Sequence, residues 1–458
     1  MADGTTHMMG VGGIGMSALA AILRSRGEAV SGCDIASSAI TDKLAALGVA
    51  IQIGHDRSHL AGVSRLIISD AIRQDNPELV QARSEGVPVL RRSQALAQIM
   101  DQGPGIAVAG THGKTTISAM VALILQQAGL DPTVLIGGEL DAIGGNYRAG
   151  KGEWVLAEAC EAYNSFLDLR PEIALVANIE ADHLDFHGTL DRLRGAFEQF
   201  VQRIKPGGCL VWCSDRDELR ALASGAACRT MSYALKEGAD LRATDIRLLG
   251  FGSRFRIEGQ GEVRLNVPGL HNVSNAAGAA ACALQAGVPF HHVAAALEQF
   301  EGVKRRFQRI GEIGGITVVD DYAHHPTEIR ATLSTARPLC QGRLFAVFQP
   351  HLYSRTRDLL DDFANSFDLA DAAVITEIYP AREDPIPGVS GDLVAERARA
   401  QGKAREIEFI AEKKSIAPHL APRLKPGDWV MILGAGDVDA VGRDLVGLLA
   451  ERMTQEGP

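Results

Sequence analysis

The segment GTHGKTT, residues 110–116, places a lysine and two threonines between a small apolar run and an amphipathic run. This pattern predicts a strand, a tight loop and a helix start, where the unpaired first amides of the helix and its dipole favour a phosphate. Lys114 is expected to reach the outer phosphates of a nucleotide, and the hydroxyl of Thr115 to meet a magnesium ion. The eight-residue phosphate-loop pattern requires glycine where the chain has Val108, so only the shorter motif is present. The alternative interpretation is a lysine that caps an ordinary turn.

A second glycine-rich loop, Gly10-x-Gly12-x-x-Gly15, follows a predicted strand and precedes a predicted helix, with Asp34 at the end of the next strand. This is the dinucleotide-fold fingerprint, in which glycines let the backbone approach a diphosphate and the acid accepts hydrogen bonds from hydroxyls. It fits a nicotinamide dehydrogenase, a flavoprotein or a binder of nucleotide-diphosphate sugars. A purely structural turn is the remaining alternative.

Glu158 and His183 lie near the carboxyl ends of two predicted strands, where open α/β sheets bind ligands. A carboxylate oxygen and a neutral imidazole could hold a cation, and magnesium takes few protein ligands besides phosphate and water. Asp182 and Asp185 compete for this role. The acidic run could instead cap a helix.

The segment PGLHNVSNAAGAAA places His271, Asn272 and Asn275 before a helix of small residues. Amide side chains can bind an adenine edge, yet asparagine also caps helices, and both interpretations stay open.

Arginines occur near the ends of two later strands. Arg306 precedes Asp321, and such a pair suits a γ-phosphate and ribose hydroxyls. Arg355 and Arg357 follow FQPH, where a guanidinium could clamp a carboxylate. Taken singly, each arginine could be a surface salt-bridge partner. Tyr322, His324 and His325 share one strand-to-helix turn, and each is a candidate site residue.

Short β-branched runs alternate with helical patterns over most of the 458 residues, which predicts parallel sheets with crossover helices. A break at residues 101–105 and a β-rich patch at 240–268 divide the alternation. We therefore predict an α/β fold of three domains: an N-terminal Rossmann-like domain (1–102), a central phosphate-loop α/β domain (103–302) and a C-terminal Rossmann-like α/β domain (303–458).

Composition excludes several function classes. The net charge of −10, without a basic cluster, argues against nucleic acid as a partner. No run of eighteen uncharged apolar residues and no basic leader are found, which predicts no membrane insertion and a cytoplasmic location. The seven cysteines are scattered, with Cys209 and Cys213 as the one close pair, and are interpreted as reduced thiols.

In combination, these motifs resemble the Mur ligases. The order is the glycine fingerprint, GTHGKTT, NIEADHLD, GLHNVSNAAGAAA, RRF with VDDYAHHPTE, FQPHLYSRTRDL, YPAREDPIPG and GAG. The resemblance covers nearly the whole chain and is strongest to the branch that joins L-alanine to UDP-N-acetylmuramate. It implies a three-domain enzyme of peptidoglycan precursor synthesis that uses ATP and one or two Mg2+ ions, with Mn2+ as a substitute. It also suggests a monomer or a weak homodimer.

The resemblance assigns roles by position. It implies an ATP site of Gly110, Thr111, His112, Gly113, Lys114, Thr115, Thr116, His271, Asn272, Asn275, Arg306 and Asp321. It implies a UDP-sugar site of Gly12, Gly13, Gly15, Met16, Asp34, Ser69, His112 and Asn178. The amino-acid residues would be Tyr322, His324, His351 and Arg355, and the metal ligands Thr115, Glu158 and His183. The catalytic residues would be Lys114, His183, Arg306, His324 and His351.

Two departures and three alternatives qualify the resemblance. Cys160 stands where relatives commonly have aspartate, and Leu352 where they often have arginine. The close alternative is a ligase that attaches a tripeptide to the same sugar nucleotide during wall recycling. An NAD-dependent oxidoreductase would use the first glycine loop but leave Lys114 unexplained, and a non-catalytic nucleotide sensor would bind ATP without releasing phosphate.

Overall fold

The computed structural model describes residues 4–381, 383–401 and 406–456 and contains three α/β domains, as the sequence predicts. The helices are α1 (Ile14–Ser25), α2 (Ala39–Ala46), α3 (Pro77–Ser84), α4 (Arg92–Met100), α5 (Lys114–Gln127), α6 (Leu184–His187), α7 (Leu190–Val201), α8 (Glu218–Ser224), α9 (Leu270–Gln285), α10 (Phe290–Glu298), α11 (Pro326–Ala336), α12 (Tyr353–Asp358), α13 (Leu360–Ala364), α14 (Gly391–Gln401), α15 (Lys413–Leu420) and α16 (Asp439–Glu456). Within the described ranges, none of these helices has the length and apolarity to cross a bilayer.

The first sheet contains five parallel strands in the order β3-β2-β1-β4-β5. Their bounds are β1 (Thr5–Met9), β2 (Val30–Asp34), β3 (Ala50–Ile53), β4 (Val63–Ile68) and β5 (Val89–Arg91). The strand order reverses between β1 and β4, so the carboxyl ends of these two strands open a crevice of the kind that binds ligands. Met9 and Ser69 stand at these ends, next to the glycine loop.

The central sheet is built on parallel strands with the phosphate-loop strand in the middle. Its strands are β6 (Gly105–Ala109), β7 (Thr133–Leu140), β8 (Gly145–Arg148), β9 (Val155–Glu158), β10 (Ile173–Val176), β11 (Cys209–Cys213) and β12 (Arg229–Ala234). The strand β6 lies between β9 and β10, and Val108 pairs with Glu158 in register. The loop after β6 and the side chain at the end of β9 therefore meet at one edge.

Antiparallel strands follow β12. They are β13 (Leu241–Leu249), β14 (Gly252–Ile257) and β15 (Gly261–Leu265), and they form the β-rich patch that the sequence predicts.

The third sheet has six strands in the order β16-β17-β21-β18-β19-β20, of which only β16 runs antiparallel to its neighbour. The bounds are β16 (Gln308–Ile313), β17 (Ile316–Asp321), β18 (Leu344–Phe348), β19 (Ala372–Ile375), β20 (Glu406–Phe409) and β21 (Trp429–Leu433). Two apolar clusters cover its faces, one around Phe348 and Phe367 and the other around Val347 and Leu445. Buried on both faces, the central strands are continuous apolar runs, as parallel sheets require.

The chain forms two compact units, each of which packs mainly against itself. The first contains residues 1–179, 191–242 and 275–297, and the second contains 180–190, 243–274 and 298–458. The first sheet and strands β6–β12 of the central sheet belong to the first unit, whereas β14, β15 and most of β13 belong to the second. Within the first unit, Asp168 accepts hydrogen bonds from Arg91 at 3.0 Å and from the Ser93 hydroxyl at 2.6 Å. This half-buried carboxylate ties the end of the first sheet to the central domain.

Candidate active site

The phosphate loop of the first unit ends at Gly113, whose φ of 83° allows the chain to turn into α5 at Lys114. That backbone region favours glycine because a side chain would strain it. Lys114 Nζ lies 3.1 Å from the Thr111 carbonyl and 2.9 Å from the Glu161 carboxylate. Burial alone would lower the pKa of Lys114, but the attraction of Glu161 outweighs it and holds the pKa above its usual range. The ammonium is therefore charged and fixed at the loop.

Glu161 is a site residue that the sequence analysis missed. Its carboxylate is buried and pairs with Lys114. The available signal was the second glutamate in AEACEAY, three residues after Glu158. Cys160, between the two glutamates, is half-buried, and burial raises the pKa of its thiol to about 11. The thiol thus adds no charge between Glu158 and Glu161.

Thr115 and Glu158, two predicted metal ligands, are in contact. The Thr115 hydroxyl donates to Glu158 Oε2 at 2.9 Å, and the Gly137 amide donates to the same oxygen at 2.8 Å. A hydroxyl and a carboxylate side by side are the oxygen ligands that Mg2+ prefers. His183, the third predicted ligand, belongs to the second unit.

Asn178 and Asn275 both support the phosphate loop. Asn178 Oδ1 accepts from the His112 amide at 2.8 Å, and its Nδ2 donates to the His112 carbonyl at 3.1 Å. A Cβ built on Gly113 would lie 2.7 Å from Asn275 Oδ1, so that side chain abuts the loop. Asn178 was predicted to bind the UDP-sugar, and this contact gives it a positioning role as well.

The glycine loop of the first sheet is held by Asp34, whose carboxylate accepts from the Gly12 amide at 2.8 Å. Gly13 caps α1, and Gly15 and Met16 lie in its first turn. A Cβ on Gly10 would lie 3.4 Å from Ser69 Cβ, so Ser69 borders the loop, and its binding of the UDP-sugar stays a prediction.

Arg92 also borders this loop and was missed. A Cβ on Gly15 would lie 3.1 Å from its guanidinium, which provides a cation beside a helix start that favours diphosphate.

In the second unit, Asp182 pairs with Arg355. Asp182 Oδ1 accepts from Arg355 Nε at 3.0 Å and Nη2 at 2.7 Å, and both side chains are buried. Burial alone would raise the pKa of Asp182, but Arg355 holds it far below its usual range. The same carboxylate accepts from the amide of His183, which has a φ of 52°. Asp182 is thus occupied as an ion-pair partner, and the role of Arg355 as an amino-acid clamp stays a prediction.

Arg306, Asp321 and Tyr322 lie together at the end of β17. The Arg306 guanidinium stacks 5.0 Å from the Tyr322 ring centre. Asp321 accepts hydrogen bonds from the amides of Phe307 and Ala323, and burial raises its pKa to about 6. Asp321 fixes this turn, and its predicted contact with ribose remains a prediction.

His324 and His351 face each other, with ring centres 5.8 Å apart. His324 Nδ1 lies 2.9 Å from the Tyr322 carbonyl, so Nδ1 carries the hydrogen in the neutral ring and Nε2 keeps the lone pair. Burial lowers the pKa of His324 to about 4. His351 stacks on Tyr379, a residue that the sequence analysis did not identify, and its Nδ1 lies 3.0 Å from Arg355 Nη1.

His324 is neutral in the folded state and takes up a proton more readily in the unfolded chain. Acid should therefore favour unfolding. Its pKa rises from about 4 in the folded state to 6.5 on unfolding, so its contribution is present above pH 6.5 and is lost as the pH falls towards 4. Both proteins should lose unfolding free energy when the pH is lowered from 7 to 4.5. We expect this loss to be about 2 kcal/mol smaller in His324→Gln than in the unmodified chain, because glutamine does not titrate. Hydrogen exchange of the β18 amides under increasing denaturant at both pH values measures this difference, and equal losses in the two proteins would contradict the assignment.

The segment predicted to bind adenine, with His271, Asn272 and Asn275, lies at the start of α9. Burial lowers the pKa of His271 to about 4, and Asn272 Nδ2 donates to the Pro268 carbonyl at 2.7 Å.

Of the later motif YPAREDPIPG, Arg382 lies outside the described residues.

Comparison with protein families gives three consecutive matches. Residues 5–103 match the Mur ligase family catalytic domain, residues 108–283 the Mur ligase middle domain, and residues 305–436 the Mur ligase glutamate ligase domain.

Among curated proteins, the chain is 44% identical to the UDP-N-acetylmuramate–L-alanine ligase of Geotalea uraniireducens, over 96% of this chain and 97% of that one. It is 45% identical to the ligase of the same name from Symbiobacterium thermophilum, over 97% of this chain and 95% of that one.

Among solved structures, the UDP-N-acetylmuramate-alanine ligase MurC of Thermotoga maritima superposes with a TM-score of 0.79 at 30% identity, covering 99% of this chain and 100% of that one. A murein peptide ligase of Psychrobacter arcticus superposes with a TM-score of 0.70 at 26% identity, covering 98% of this chain and 99% of that one.

Proposed function

Because the chain belongs to the Mur ligase family, we propose that it joins L-alanine to the lactyl carboxylate of UDP-N-acetylmuramate with hydrolysis of ATP. It is an ATP-dependent, amide-forming ligase of peptidoglycan synthesis. The observation that carries this assignment is the full-length identity of 44% to L-alanine ligases. The contact of Lys114 with the loop and of Thr115 with Glu158 supplies a matching phosphate site.

A carboxylate is a poor electrophile, so the reaction needs activation. The proposed course transfers the γ-phosphoryl group of ATP to the lactyl carboxylate, which gives an acyl phosphate and ADP. The neutral amine of L-alanine then attacks the acyl carbon, the tetrahedral adduct expels inorganic phosphate, and the amine proton passes to a base. Cationic groups must stabilise the phosphoryl group, and water must be kept from the acyl phosphate.

In the first unit, Lys114 meets the phosphates and Asn178 holds the loop in place. The loop backbone from Gly110 to Thr116 wraps the phosphate chain, as helix starts do. The glycine loop with Asp34, Ser69 and Arg92 would receive the UDP moiety.

We propose that Mg2+ binds at Thr115 and Glu158, with His183 as a further ligand, because the first two present adjacent oxygens of the kind that suits this ion. The ion would neutralise charge on the transferring phosphoryl group. Mn2+ would bind the same ligands.

Glu158→Gln should raise the Mg2+ concentration needed for half-maximal activity by at least about 10-fold, because the amide keeps the shape but removes the negative charge. Glu139→Gln is the control, since Glu139 lies on β7, the strand next to β9, and outside the predicted ligand set. Phosphate release is measured across a Mg2+ titration at saturating ATP. An unchanged Mg2+ requirement would remove Glu158 from the metal site.

In the second unit, Arg306 would meet the γ-phosphate in the reacting complex, and Asp321 the ribose. His324 is the preferred base, because its Nε2 is a lone-pair nitrogen and its lowered pKa keeps it neutral at pH 7. His351 is the alternative base. Tyr322 and Arg355 would contact the amino acid.

The decisive experiment measures phosphate release from ATP with UDP-N-acetylmuramate and one amino acid at a time. We expect release with L-alanine and little with the wall tripeptide, while glycine and L-serine measure how strictly the enzyme selects L-alanine. Preference for the tripeptide would transfer the assignment to wall recycling, as the murein peptide ligase neighbour allows. Reduction of NAD+ without ATP consumption would support the oxidoreductase.

We further propose the domain boundaries 1–102, 103–302 and 303–458, a cytoplasmic location, and a monomer or weak homodimer. The boundaries are supported by the three family matches, each of which lies inside one of these ranges except that the first extends to residue 103. Sedimentation at several concentrations tests the oligomeric state.

A further inference from the structure

A cluster of imidazole, thiol and carboxylate groups lies inside the first domain, apart from the phosphate and glycine loops. At its centre is the Glu78 carboxylate, which is fully buried in the first turn of α3. Buried charges of this kind require several partners. The polar groups within 3.3 Å of the Glu78 carboxylate belong to His7, Cys33, His55, Asp56 (backbone amide) and His59.

These partners outnumber what the carboxylate can accept. A carboxylate has about four lone-pair positions, whereas five groups converge on Glu78. Burial alone would raise the pKa of Glu78, but the hydrogen bonds from its partners lower it to about 2. Because three neighbouring imidazoles and a thiol also carry lone pairs, the crowding is relieved if some of these atoms share a cation instead.

Four of the groups have the geometry of metal ligands. Within the described residues, the ligand atoms of His7, Cys33, His59 and Glu78 all lie within 4.8 Å of one another. The Glu78 oxygens lie 3.0 Å from His7 Nε2, 3.1 Å from His59 Nδ1 and 3.3 Å from Cys33 Sγ. Ligands around tetrahedral zinc lie roughly 3.3–3.7 Å apart, given Zn–N of about 2.0–2.1 Å and Zn–S of about 2.3 Å. The three Glu78 contacts would therefore need only small outward shifts to reach this spacing.

The surroundings of His7 add a second observation. Its Nδ1 lies 2.8 Å from the Ser31 hydroxyl, which fixes the ring so that Nε2 faces the cluster. Metal-binding histidines commonly have such a partner on the other ring nitrogen. His59 and His55 are 14% and 19% exposed, so an ion can reach the cluster from solvent at this side.

We propose that His7, Cys33, His59 and Glu78 form a binding site for one Zn2+ ion, with His55 beside it. Two nitrogens, one sulfur and one oxygen are a donor set that zinc accepts, and four protein ligands make a closed, structural site. Binding displaces the thiol proton of Cys33 to solvent, so the thiolate and the carboxylate together neutralise the ion.

The site would join four elements of the first domain: β1 at His7, β2 at Cys33, the short 3-10 helix Arg57–Leu60 at His59, and α3 at Glu78. The Cys33 carbonyl also accepts from the amides of Gly10 and Val11 in the glycine loop. Zinc would therefore stabilise the base of the loop that the proposed function assigns to the UDP-sugar, without contact to ATP.

The test uses the full chain after removal of metals, with saturating Mg2+ present to fill the proposed ATP-site position. Competition with a chromophoric chelator should give one Zn2+ per chain with a Kd below about 1 μM. Co2+ should give the absorption of a thiolate-bound, tetrahedral ion. Cys33→Ser and His59→Gln should each weaken Zn2+ binding at least about 100-fold, and Cys33→Ser should also remove the thiolate band.

Cys228→Ser and His291→Gln are matched controls, because Cys228 and His291 lie in the central domain and outside the cluster. Both should bind Zn2+ like the unmodified chain. Absence of tight binding, or equal binding in Cys33→Ser and Cys228→Ser, would overturn the proposal and leave a hydrogen-bonded cluster. Neither result depends on ligase activity, so the zinc site and the proposed function can fail separately.

Discussion

Lys114→Ala will reduce ADP formation by about 1,000-fold or more in the presence of UDP-N-acetylmuramate, L-alanine and ATP. The ammonium is fixed at the loop and charged, and its removal leaves the loop without this cation when negative charge develops on the phosphoryl group. Initial rates of ADP release under saturating substrates measure the loss. Lys236→Ala, which removes an exposed lysine of the same domain, should leave the rate unchanged.

A structural effect must be separated from this catalytic one, because Lys114→Ala leaves the Glu161 carboxylate buried and without its cation. The double variant Lys114→Met/Glu161→Gln removes both charges and should regain stability but not activity. Near-normal turnover in either variant would exclude the phosphate loop from the reaction.

Asp182→Ala will lower the free energy of unfolding of the second unit by about 3–5 kcal/mol. Asp182 and Arg355 are 7% and 6% exposed, and removal of one partner leaves the other charge buried. Because a multidomain chain need not unfold in one step, hydrogen exchange of the β18 amides under increasing denaturant is the measurement.

Glu312→Ala is the control, since the Glu312 and Arg309 side chains are 56% and 49% exposed and such pairs contribute under about 1 kcal/mol. Asp182→Ala/Arg355→Met should recover much of the loss, because neither charge remains. If Asp182→Ala lowers the free energy of unfolding no more than Glu312→Ala does, the Asp182–Arg355 pair does not stabilise the second unit as a buried ion pair would.

The parallel strands could be predicted from sequence because each is a short apolar run followed by a turn. IALV at Ile173–Val176 and WVMIL at Trp429–Leu433 are examples. The predicted chemistry followed the same logic, since Lys114 and Glu158 follow or end adjacent strands of one sheet. At these positions the local sequence pattern and the strand order of the sheet both place the side chains at the same edge.

Two of the strands, β20 and β8, carry weaker sequence patterns. β20 is the four residues Glu406–Phe409, two of them acidic, and β8 is Gly145–Arg148 in a glycine-rich stretch. Their pairing is decided by neighbouring strands rather than by their own composition.

The missed site residues share a different cause. Glu161 contacts Lys114 across 47 positions, and Arg92 approaches Gly15 from another helix. The cysteine interpretation shows the same limit: all seven thiols are free, as predicted, but nothing in the sequence places Cys33 against Glu78, 45 positions away. Only the fold brings such pairs together.

The bond of Asp168 to Arg91 and Ser93 has a consequence for protein engineering. A chimera that exchanged only residues 1–102 with those of a relative would need a compatible partner for Asp168, or leave this carboxylate partly buried without its guanidinium. Exchange of the third sheet alone would keep the contacts of Asp168 with Arg91 and Ser93. Grafting amino-acid preference from one ligase to another is therefore better attempted at the C-terminal end of the chain, with the first two sheets inherited as a single module.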